Sequence, residues 1–89
     1  MKTVIETRNL NGEASMRTET TIASFQEAFA LAEQTMSDNN ISRVLIFEDI
    51  RPPEIDSIHH NPKYFILRFD AQRNIESGEL EVIGDSWPQ

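Results

Sequence analysis

Asp56, His59 and His60 come nearest in this chain to a constellation able to do chemistry. Carboxylate and imidazole are ordinary ligands for zinc and similar ions, so the trio invites a metal reading. The spacing argues against it. Adjacent side chains on a helix diverge by about 100°, so only one imidazole can stack over Asp56, and a third ligand must come from elsewhere. Two His at the negative end of a short helix are accounted for by the helix dipole alone. The expectation is a protein with no metal and no cofactor. A small hydrolase or metal-dependent enzyme built on His59 and His60 is the weakest alternative.

Nucleophilic catalysis fares no better. Ser, Asp and His are present, but no G-x-S-x-G elbow and no glycine-rich phosphate loop; the three glycines, Gly12, Gly78 and Gly84, each fall near a turn or strand end. Neighbouring carboxylates such as Glu48 and Asp49, or Glu79 and Glu81, can in principle exchange protons, yet surface acids on so acidic a chain are ordinarily solvated. The absence of cysteine excludes disulfides, thiolate metal sites and thiol catalysis. No catalytic residue is assigned.

The charge is more telling. Eighty-nine residues carry 15 Asp and Glu against 8 Lys and Arg, a formal net charge of −7. Such a chain repels phosphate backbones and anionic lipid, so neither nucleic acid nor membrane is expected as a direct partner; a basic protein is. The acidity is uneven, net −2 over residues 1–47 and net −5 over residues 48–89. The amino terminus meets charge before any seven-residue apolar run, so no signal peptide is read there, and no apolar run, Val44 to Phe47 included, is nearly long enough to span a bilayer. A cytoplasmic location is expected.

One small domain, 1–89, must position whatever site exists. Asn11-Gly12, between segments rich in Thr and β-branched residues, predicts a first hairpin closed by a two-residue type I′ turn, with Glu6 opposite Arg17. Ser24-Phe25-Gln26-Glu27 reads as a capping box, and Phe25, Ala28, Phe29, Ala32 and Met36 recur along one face of a helix of about fourteen residues. Asp38-Asn39-Asn40 ends it, Asn tolerating a left-handed cap. Ser42 to Asp49 predicts a central strand, and Lys63 to Asp70 an antiparallel partner with Phe65, Leu67 and Phe69 inward. Glu79 to Ile83 predicts an edge strand with Leu80 and Val82 against Glu79 and Glu81. The connection from Ile50 to Pro62 is long for so small a domain and predicts a short helix starting at Pro53, with Ile55 and Ile58 packed down. The fold class is therefore α+β: a mostly antiparallel five-stranded sheet in a β-β-α-β-β-β chain, ordered 2-1-3-4-5, with the helix on one face.

In size, acidity and one-helix-on-sheet pattern the chain is similar to small phage-encoded inhibitors of bacterial defence enzymes, the anti-CRISPR kind among them, some of which mimic DNA. That resemblance implies a non-enzymatic protein-binding module that blocks a basic, nucleic-acid-binding partner. Carboxylates spaced along strands and a loop can stand in for phosphates, which selects Glu48, Asp49, Glu54, Asp56, Glu79 and Glu81 as partner-binding residues. Trp87, the only Trp, either packs back onto the domain or anchors the interface. The alternative is an accessory subunit that self-associates, as a homodimer for example, which exposed Val44 and Ile46 or exposed Leu45 and Phe47 would favour.

Overall fold

The computed structural model describes residues 2–19, 22–54 and 62–87. Five strands, β1 (Thr3–Asn9), β2 (Ala14–Glu19), β3 (Ile41–Asp49), β4 (Phe65–Arg73) and β5 (Leu80–Asp85), form one antiparallel sheet in the order β2-β1-β3-β4-β5. One α-helix, α1 (Phe25–Thr35), packs across β3, β4 and β5. The fold is the α+β arrangement that the element pattern predicts, strand order included.

The core lies between helix and sheet. Ala28, Ala32 and Met36 of the helical segment meet Ile5, Val44, Ile46, Phe69 and Ala71 of the three central strands, with Phe29, Leu31, Leu80, Val82 and Trp87 at its margin. Alanine at 28 and 32, both fully buried, lets the helix sit close to the β-branched surface beneath it, a small-against-large fit. Phe25 spans the helix start, its ring 5.9 Å from Phe29 and 5.8 Å from Phe69. The Ser24 hydroxyl accepts from the Glu27 N–H at 3.2 Å as a cap should. The returning half of the box differs: Glu27 Oε1 accepts from the Ser24 hydroxyl at 3.1 Å.

The helix is three residues shorter than the pattern suggests, and it does not end on a left-handed Asn. No residue other than glycine has positive φ among the described residues. Met36 caps the helix in right-handed geometry, and Arg73 from β4 reaches the freed carbonyls.

Two strand details overturn the sequence reading. The first hairpin closes with a three-residue loop: the Asn9 N–H donates to Glu13 O at 3.0 Å and the Gly12 N–H to Asn9 O at 3.0 Å, with Gly12 at φ 82°. A type I′ turn needs positive φ at Asn11 as well. The Asn9 side chain decides the matter by accepting from the N–H groups of Asn11 and Glu13, which starts the turn one residue early. Arg17 therefore pairs with Ile5, and Glu6 with Met16. In β4, a bulge at Arg68 lets Phe69 pair with Ile46 while Leu67 pairs with Phe47. The alternation breaks there, so Phe69 alone of the three predicted inward residues lies in the buried core; Leu67 is exposed and Phe65 half-buried.

Candidate interaction surface

The charged residues divide into two populations. Within the fold, Glu6 pairs with Arg8, Glu48 with Arg68 at 2.7 Å, Asp70 with Arg43 at 2.6 Å, and Asp49 with Arg51 at 2.6 Å and Lys2 at 3.6 Å. Five of the chain's eight basic residues are held this way, and the Arg73 guanidinium is held by main-chain carbonyls. By contrast Glu13, Glu27, Glu33, Asp38, Glu54, Glu76, Glu79, Glu81 and Asp85 are exposed and make no ion pair among the described residues. The net negative charge is thus displayed at the surface, while five of the basic side chains, exposed Lys2 and half-buried Arg8 among them, are neutralised by acids of the same chain.

The predicted partner-binding acids do not share one place. Asp49 closes β3 with its side chain 1% exposed, beside an Arg51 side chain 5% exposed. The Arg51 guanidinium donates to both its carboxylate oxygens and stacks 5.4 Å over the Phe65 ring. These hydrogen bonds from Arg51 hold the Asp49 carboxyl down at about 2, against the burial that raises it. Asp49 is thus committed to Arg51 within the fold. Glu48, its neighbour on the helix side, takes both Arg68 Nε and Nη2 on one oxygen and leaves the other less engaged. Glu54 is exposed beyond the end of β3. Asp56, with His59, His60 and the predicted helix of the long connection, lies outside the described residues.

Glu79 and Glu81 are brought together at the other end of the sheet. Glu81 lies level with Gln72 and Arg43, about 16 Å along the strands from Glu48. Glu79 ends the β4–β5 turn and Glu81 lies at the start of β5; Asn74 organises the turn, for its side-chain oxygen accepts from the N–H groups of Glu76 and Ser77, its Nδ2 lies 3.5 Å from Glu81 Oε2, and Gly78 closes the loop at φ 76°. Glu76, Glu79 and Glu81 are three exposed acids within six residues of chain, none in an ion pair among the described residues. Trp87 packs against the core margin, its indole N–H buried without an acceptor among the described residues.

Of the four residues whose exposure would favour self-association, Phe47 alone is partly exposed. Val44 and Ile46 are fully buried under the helix, and Leu45 is buried on the opposite face. That opposite face carries Val4, Glu6, Arg8, Arg43, Leu45 and Asp70, where bidentate hydrogen bonds to Asp70 push the Arg43 pKa up.

Sequence reasoning missed two residues at the turn end of the sheet. Leu10 is 65% exposed and Ile75 100% exposed, and both line an open cleft of about 390 Å³ with Ser42, Arg43, Gln72 and Arg73. The signal was present in that each is an aliphatic residue in a turn, directly after an Asn and outside the strands.

Among the described residues no three His, Cys, Asp or Glu side chains group closely enough to hold a metal ion, and no helix is long and apolar enough to cross a membrane. No protein-family model, curated protein or solved structure matches the chain.

Proposed function

We propose that the protein is a non-enzymatic binding module that docks its exposed carboxylates onto a basic surface of another protein. The partner's surface is of the kind that otherwise binds nucleic acid, and the module acts as an inhibitor by occupying it in a reducing, cytoplasmic setting. What carries this reading is the asymmetry of pairing: nine exposed acids make no ion pair among the described residues, while five of the eight bases are paired to acids of the same chain. A partner rich in Lys and Arg gains attraction at long range without first breaking the module's own ion pairs, which favours fast, salt-sensitive association. Direct binding to nucleic acid is disfavoured by the same charge.

The test is capture of a partner on immobilised protein, with the triple reversal Glu76→Lys, Glu79→Lys and Glu81→Lys in parallel. The wild type should retain a basic protein that both raised salt and added DNA displace. Retention indifferent to salt, to DNA and to the reversal would reject the reading.

A further inference from the structure

The two hairpin tips at one end of the sheet are built alike. In the first, Asn9 accepts from two turn N–H groups and Gly12 closes the loop with positive φ; in the second, Asn74 and Gly78 do the same. Each tip places an aliphatic residue directly after its Asn, Leu10 in one and Ile75 in the other. The turns demand neither side chain, since their geometry is set by the Asn and Gly positions. Both residues are exposed, both line the same cleft, and the strands that carry them, β1 and β4, stand two strand spacings apart, about 10 Å, with the start of β3 as the floor between them.

The floor excludes one class of ligand. Arg43 and Arg73 both line the cleft, yet Arg43 is bidentate on Asp70 and Arg73 is held by the carbonyls of Met36, Asp38, Ile41 and Gly78. The Arg43 charge is neutralised by Asp70 and all three Arg73 side-chain nitrogens are engaged by carbonyls, so the floor offers an anion little attraction. The unpaired charge beside the cleft is negative, from Glu76, Glu79 and Glu81 around the second tip. A second copy of this acidic chain would bring like charge to that rim.

We propose that the cleft receives an extended segment of the partner protein, with an aliphatic side chain seated between Leu10 and Ile75 and a Lys or Arg beside Glu76, Glu79 and Glu81. The proposal rests on the reading of the protein as an acidic binding module and names the chemistry of what it binds. Two rigid turns hold the apolar pair in place before binding, so little ordering is needed at that contact. The acids supply attraction to the basic flank, and the aliphatic seat supplies the choice among basic segments.

Amide-resolved NMR titration of isotope-labelled protein with three short peptides, KKLKK, KKGKK and EELEE, tests it. KKLKK should shift the amides of Leu10, Ser42, Gln72 and Ile75, and should bind about tenfold more tightly than KKGKK. The variants Leu10→Ser and Ile75→Ser should abolish that preference while leaving the melting temperature unchanged, because both side chains are exposed. Equal binding of KKLKK and KKGKK, untouched by Ile75→Ser, would overturn the cleft proposal and leave the acidic-surface reading standing. Preference for EELEE, or no binding of any peptide, would overturn both.

Discussion

Nη2 of Arg73 lies 2.7 Å from the carbonyl oxygen of Met36, so a cation from the sheet closes the helix that packs on it. The same guanidinium reaches Asp38 O at 3.1 Å and Ile41 O at 3.0 Å, tying the helix end, the turn after it and the start of the central strand to β4. The helix carries no basic residue in its own last turn, and its freed carbonyls need a donor.

Arg73→Ala should therefore destabilise the protein by about 2–3 kcal/mol, the loss expected when a charged donor leaves several acceptors behind. Arg73→Lys should recover only part of it, since one ammonium cannot reproduce the planar fork. Urea unfolding of the three proteins measures this; an alanine variant as stable as the wild type would show that water replaces the guanidinium without loss.

At the other end of the helix, Ser24→Ala should cost about 1 kcal/mol by removing the acceptor for the Glu27 N–H. Ser24→Asp should keep the cap and so unfold close to the wild-type midpoint. Equal loss in both variants would mean that the hydroxyl acts as donor to Glu27, not as cap.

Ser24 was legible because its signal is local: a hydroxyl residue three positions before Glu opens the apolar period, and no tertiary contact has to be known. The strand order was legible for a similar reason, since Val44 to Phe47 is apolar on both faces and so belongs in a central strand. Arg73 was not, because its role depends on β4 passing beside a helix end 37 residues away in sequence. The bulge at Arg68 was hidden likewise. Its guanidinium is turned toward Glu48 and the Ser86 carbonyl, contacts that exist only once the sheet is assembled. The candidate acids were read from composition, and composition does not distinguish Asp49, locked to Arg51, from Glu79, which is not.

The register of the first hairpin gives a third prediction. Gly12 sits at φ 82°, so Gly12→Ala should cost about 1–2 kcal/mol through its backbone alone, as no neighbour lies within 4 Å of an added Cβ. Asn9→Ala should loosen the same turn by removing the acceptor of two N–H groups. Amide exchange at Asn11 and Glu13 reports it directly: faster exchange in Asn9→Ala is expected, and unchanged exchange there would assign the three-residue loop to Gly12 alone.

The last prediction concerns acid. In the folded protein Asp49 holds its charge down to about pH 2, against an ordinary value of 3.8. As pH falls, the unfolded chain takes up this proton first, so acid favours unfolding. The stabilisation is complete above about pH 4 and is lost as pH falls from about 4 toward about 2. Asp49→Asn removes the titrating group and leaves Arg51 buried without its carboxylate, so it should be less stable at neutral pH by about 3 kcal/mol and should show a shallower loss of stability through that window. Denaturant midpoints at a series of pH values compare the two proteins. If the variant keeps the wild-type slope between pH 4 and pH 2, the acid sensitivity arises elsewhere and the Asp49–Arg51 pair is not its source.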